Sequence, residues 1–176
     1  MTMSGLRKSL GLFAGVLVAA STVCAPVLAQ NQTTNLGTFN SWTAWRGTDQ
    51  SGMICYISAQ PTKSEPANVN RDPIHFLIIH RKGLGTKNEV QTLIGYPFKP
   101  QADASAAIDG KSYPLITEGA AAWLASAGDE STFVTALKAG SNLVVKGTSQ
   151  RGTNTSDTYS LSGVTAAMGE IDKACA

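Results

Sequence analysis

From residue 38 onward, apolar side chains recur mostly with a period of two, the spacing of strands that bury one face. The pattern predicts a first strand over Thr38 to Arg46. A second runs over Met53 to Gln60, with Met53, Cys55, Ile57 and Ala59 on one face. Ile74 to Arg81 is rich in β-branched and aromatic residues and apolar on both faces, as expected of a strand covered on both sides or central in a sheet. Gly83 to Lys87 turns the chain into another strand at Glu89 to Tyr96. Ala106 to Ile108 and Lys111 to Ile116 flank Asp109-Gly110, a dipeptide that accepts the positive φ angles of a type I′ turn, which predicts a hairpin. Asn142 to Ser149 and Thr158 to Ser162 read as a further strand pair around a polar loop.

Two segments change to a helical period. Asp129 or Ser131 can cap a helix that carries Phe133, Val134 and Leu137 on one side, with Lys138 in its last turn and Gly140 as its stop. Val164, Met168, Ile171 and Cys175 fall at i, i+4, i+7 and i+11, one face of a terminal helix. Ala120 to Ala127 fits either a helical turn or a buried connection. Pro61 to Pro73 contains three prolines and mixed charges, so it reads as a long surface loop. Several short strands with only two short helices indicate a single all-β sandwich.

The N-terminus follows a different pattern. Arg7 and Lys8 precede an apolar run from Leu10 to Ala20, and Val27-Leu28-Ala29 supplies a small residue for cleavage, which together read as a secretory signal over residues 1–29. The run is short of the roughly 18 residues that span a membrane, and no later segment approaches that length. The expected organisation is a signal at 1–29, a flexible leader at 30–37 and one domain at 38–176. The general secretory route would deliver it to the periplasm, the outer envelope or the medium.

Removing the signal changes the charge and the cysteine count. Of 14 basic and 12 acidic residues, Arg7 and Lys8 are lost, leaving twelve of each. A neutral domain has no long-range field to gather nucleic acid, so the pI of 8.5 is no hint of one. Of the three cysteines Cys24 departs, and Cys55 and Cys175 in an oxidising compartment read as one disulfide.

No catalytic constellation emerges. His75 and His80 are five apart in a predicted strand and point to opposite faces, so they cannot share a metal ion. No nucleophile elbow surrounds Ser58 or Ser160, and Gly83-Leu84-Gly85 lacks the third glycine of a dinucleotide fingerprint. No catalytic, metal or cofactor residue is assigned, and no cofactor is expected. Trp42, Trp45 and Tyr56 could line a ligand groove, but large aromatics at strand positions of a small sandwich read as core. The polar stretch from Gly147 to Asp157 supplies the candidate interaction residues Gln150, Arg151, Thr153, Asn154 and Asp157; its bland alternative is a solvated hairpin end in which Arg151 pairs with Asp157.

The order of a signal peptide, Trp42-Thr43-Ala44-Trp45, the segment from Met53 to Gln60, the run from Phe133 to Gly140, and Asp157 to Gly163 before a Cys-ending helix resembles the invasion-associated locus B family of alphaproteobacteria. The resemblance spans essentially the whole mature domain. It implies an immunoglobulin-like β-sandwich, a periplasmic or envelope location, a link to host-cell invasion in pathogenic members, and no established enzymatic activity. Many members place a first cysteine soon after the tryptophan, where this chain has Trp45-Arg46, and this chain has none across 120–128. That leaves Cys55 and Cys175 to each other. The leading expectation is a non-enzymatic module that binds an envelope or host-cell protein; the alternatives are a periplasmic hydrolase using His75 or His80, and a structural or stress-related envelope protein.

Overall fold

The computed structural model describes residues 33–176, so the expected signal peptide and the first leader residues lie outside it. The described residues form eleven strands: β1 Thr34–Phe39, β2 Trp42–Asp49, β3 Gly52–Ala59, β4 Lys63–Glu65, β5 His75–Arg81, β6 Thr86–Leu93, β7 Ala104–Ile108, β8 Lys111–Glu118, β9 Ala121–Leu124, β10 Asn142–Thr148 and β11 Asn154–Ser160. Two helices join them, α1 Glu130–Ala139 and α2 Val164–Ala174. All strand pairs are antiparallel, in the order β1-β2-β3-β5-β6-β9-β8-β7-β10-β11-β4.

The sheet folds over on itself. β5 and β11 stand six places apart in that order, which would separate them by roughly 29 Å in a flat sheet. Yet the rings of Phe76 on β5 and Tyr159 on β11 lie 5.8 Å apart, and Trp42 Nε1 on β2 donates to the Ser160 carbonyl at 2.9 Å. The result is sandwich-like: one buried cluster collects the inward side chains of both halves, including Trp42, Ile57, Phe76, Ile78, Leu143, Val145 and Tyr159. Helix α2 packs on β1, β2 and β3, and α1 on β6. α2 brings Val164, Met168 and Ile171 inward, as its period predicts.

The local turn signals hold where backbone geometry decides. Asp109 and Gly110 both take positive φ, 45° and 90°, between β7 and β8. Gly140 ends α1.

Four expectations are corrected. Thr34 to Gly37, expected in a flexible leader, belong to β1, because a backbone ladder to β2 does not require apolar side chains and Leu36 and Phe39 rest on the core. The single strand expected over Thr38 to Arg46 is broken into β1 and β2 at Asn40, whose φ of 51° suits asparagine. The ambiguous alanine-rich stretch contains β9, paired to β6 and β8. Within the loop from Pro61 to Pro73, Lys63–Glu65 forms the edge strand β4 beside β11.

Cys55 on β3 and Cys175 after α2 form a disulfide with Cα atoms 5.9 Å apart. Directly opposite Cys55 across the β3–β5 ladder stands His80. Its ring is 1% exposed; Nδ1 accepts from the Asn88 backbone N–H at 3.1 Å and Nε2 meets Asp172 Oδ1 of α2 at 2.9 Å. With Nδ1 accepting, the hydrogen sits on Nε2 and is donated to the carboxylate. The disulfide and this bond thus clasp α2 to the same point of the sheet.

Candidate functional site

The two polar segments singled out in the sequence meet. A cavity of about 250 Å³ is lined by Asn68, Val69, Asn70 and Arg71 from one, by Ser149, Arg151, Thr153 and Thr155 from the other, and by Tyr96. Most of the polar stretch is strand rather than loop: β10 runs to Thr148 and β11 starts at Asn154. Only the turn between them projects. Ser149 fixes it, since its N–H donates to the Thr153 carbonyl at 2.8 Å and its Oγ accepts from the Thr153 N–H at 3.1 Å. Gly152 turns the chain at φ 87°. Gln150 is held by its N–H on the Pro97 carbonyl at 2.9 Å. Arg151 is left exposed at the tip.

Behind that turn sits a buried ion pair. Asp157, on β11, points inward and is fully buried, and both of its oxygens are engaged by Arg71: Nη1 donates to Oδ2 at 2.9 Å and Nη2 to Oδ1. The expected partner Arg151 is therefore corrected to Arg71, 86 residues away in the chain. Asp157 is likewise withdrawn from the set of surface interaction residues, since alternation along β11 turns it to the core with Thr155 and Tyr159. Arg71 also donates to the Ile94 carbonyl at 3.4 Å and lies over the Tyr96 ring at 5.6 Å. The Tyr96 hydroxyl bonds Thr155 Oγ1 at 2.6 Å. Burial pushes the Tyr96 hydroxyl above its ordinary pKa, and the Thr155 bond opposes the shift. Asn154 faces away from the cavity's lining and accepts from Thr148 Oγ1 at 2.9 Å.

The chemistry follows from these pairings. Asp157 neutralises Arg71, so the floor of the cavity offers amides, hydroxyls and an aromatic ring, and Arg151 supplies the cation above it. That arrangement receives an acidic or strongly hydrogen-bonding group. Arg71, Tyr96, Asn68 and Asn70 were not candidates from the sequence. The length of the proline-containing loop is the only signal for Asn68, Asn70 and Arg71, and Tyr96, at the end of a predicted strand, has none.

Of the two histidines, His80 has both ring nitrogens engaged and almost no exposure, which leaves it no free atom for acid–base work. Its partner Asp172 also approaches Lys138 Nζ at 3.9 Å. His75 lies half-buried on the opposite face of β5. Among the described residues no group of three histidine, cysteine, aspartate or glutamate side chains is placed to hold a metal ion, and no helix is long and apolar enough to cross a membrane.

The aromatic expectation divides. Trp42 is fully buried in the core. Trp45 and Tyr56 are corrected: both stand half-buried on the outer face of β2 and β3, stacked with ring centroids 6.4 Å apart and planes at 21°. Three residues along a strand reverse the face, so Trp42 and Trp45 point opposite ways.

The model of the family described as invasion associated locus B (IalB) protein matches residues 42–172, well over half of the chain. The chain belongs to the invasion-associated locus B family. Among solved structures it is similar to the crystal structure of invasion associated protein B from Bartonella henselae, at 12% sequence identity and a TM-score of 0.55, over 80% of this chain and 97% of that one. At that identity the likeness speaks for the fold. No curated protein matches the chain.

Proposed function

We propose that this member of the invasion-associated locus B family is an exported, non-enzymatic interaction module of the bacterial envelope, delivered by its N-terminal signal to the periplasm or outer surface. It docks an envelope or host-cell protein through an acidic side chain received by Arg151. The observation that carries this reading is the pairing of Arg71 with Asp157, which leaves a charge-compensated cavity floor beneath one exposed guanidinium on a locked turn. The family membership and the name of the Bartonella protein favour a role connected with entry into host cells.

Immobilised mature domain, exposed to envelope and host-membrane extracts, tests the reading. A captured protein should be lost with Arg151→Ala and retained with Lys111→Ala, a cation on the far hairpin. Equal retention by both variants would overturn the assignment of Arg151. A deletion strain with undiminished host-cell entry would overturn the invasion role alone.

A further inference from the structure

On the outer face of β2, β3 and β5 lies a second concavity, of about 490 Å³, lined by Trp45, by Ala59 and by the polar side chains of Ser41, Thr43, Ser58, Gln60, Thr62 and His75. It shares no lining residue with the Arg151 cavity. We propose that this groove is a binding site for a neutral oligosaccharide. The register places it: Thr43 and Ser58 are opposed across β2–β3, and one step along, Trp45 opposes Tyr56. All four point away from the core, which takes Trp42, Ala44, Ile57 and Ala59.

Trp45 is built to present a fixed ring. Its Nε1 donates to Ser58 Oγ at 3.0 Å and its plane rests on Tyr56, so a ligand meets a ring already held in place. Large aromatics turned to the outer face of a sheet give up burial that the core would provide, and the pairing of an apolar ring surface with a polar tip is what recognition surfaces use. Around the indole the wall consists of hydroxyls, an amide and an imidazole, with no carboxylate, ammonium or guanidinium among the lining residues. A phosphate or uronate ligand would meet no fixed cation there, and an acyl chain would leave the Gln60 amide without a partner. A sugar ring matches both halves: its C–H face lies on the indole, and its hydroxyls bond the Gln60 amide and donate to the Thr43 and Thr62 oxygens, the Thr62 hydroxyl itself donating to the Thr158 carbonyl at 3.1 Å. The volume falls within the range of small-molecule sites.

The experiment is a titration of the isotope-labelled mature domain by NMR, following the Trp45 indole N–H signal in the parent and the backbone N–H signals of residues 43, 45 and 58 in every variant. The probes are a β-1,4-linked glucose tetrasaccharide, an N-acetylglucosamine tetrasaccharide and, as the charged control, a galacturonate tetrasaccharide. The proposal expects a saturable shift with at least one neutral probe, none with the galacturonate, and affinity at least about tenfold weaker in Trp45→Ala. Should Trp45→Ala not fold, Gln60→Ala and Thr62→Ala at the rim, with unchanged melting, should each weaken binding about threefold or more. Arg151→Ala should leave the affinity unaltered. Absence of a saturable shift with both neutral probes, unchanged affinity in the rim variants, or a loss caused by Arg151→Ala would each overturn the site.

Discussion

Arg71 and Asp157 meet as a buried, doubly hydrogen-bonded ion pair, their side chains 6% and 0% exposed, although one lies in the proline-containing segment and the other in the middle of β11. The pair ties an otherwise irregular stretch of chain to the sheet, with further support from the Asp72 N–H on the Gly95 carbonyl at 2.9 Å. Removing one member leaves a charge in the interior without a counterion, which typically costs about 3–5 kcal/mol. Arg71→Ala should therefore lower stability by about that much in urea denaturation. The double variant Arg71→Met with Asp157→Leu should recover a good part of it, since no charge is stranded. A double variant as unstable as the sum of the two single ones would show that the pair is not coupled.

The clasp of α2 gives a second expectation. Cys55 and Cys175 close a loop with a sequence separation of 120, for which the chain-entropy account gives about 5 kcal/mol before native strain is subtracted. Replacing both cysteines by alanine should lower stability by about 2–5 kcal/mol. His80 still bonds Asp172 in that variant, so α2 should remain docked at neutral pH and come away when His80→Ala is added. Hydrogen exchange along residues 164–174 reads this directly: protection retained in the combined variant would refute the clasp.

What the sequence made legible was local. Alternation puts Met53, Cys55, Ile57 and Ala59 on one face of β3, of which the last three are buried while Met53, near the strand's start, is exposed, and Asp109-Gly110 fixed its own turn because its two residues accept positive φ. The candidate site was only half readable. Polarity marked Arg151 and Thr153 but equally marked Asp157, since a buried carboxylate with a distant guanidinium looks in sequence like any surface aspartate. Nothing near Arg71 in the chain announces a partner 86 residues on. Trp45 departs from the core for another reason: hydrophobicity favours the core, whereas its odd spacing from Trp42, the stronger constraint within one strand, sends it outward.

Arg151 has no such structural burden. It is exposed at the tip of a turn whose geometry is held by Ser149, Gly152 and Thr153. Arg151→Ala should thus leave stability within about 0.5 kcal/mol of the parent while removing the proposed partner contact. Arg151→Glu should weaken that contact further than alanine does, through repulsion of the acidic group. If the glutamate variant binds as well as the parent in surface plasmon resonance against a captured partner, the cation is not the receiving group.

The last expectation concerns pH. Asp49, at the end of β2, accepts from the Ser51 hydroxyl at 2.6 Å and the Ser51 backbone N–H at 2.8 Å, and Arg81 Nη1 reaches its other oxygen at 2.6 Å. The Ser51 hydroxyl bond is the main cause that holds the Asp49 carboxyl below its ordinary value of 3.8, with burial opposing it and Arg81 adding to it. A depressed carboxylate favours the folded state while it is ionised in both states. Its contribution is therefore present above the ordinary value and is lost as pH falls from there through the lower, folded one. Arg81 also bonds Glu89, at 2.7 Å, which keeps the guanidinium in place when Asp49 is replaced. Asp49→Asn should accordingly be less stable than the parent at pH 7, and the two urea midpoints should converge as pH drops below 3.8. The gap should also shrink in high salt, because the Arg81 attraction is partly screened. A gap that stays constant from pH 7 to well below 3.8 would mean that the side chain acts through shape rather than charge.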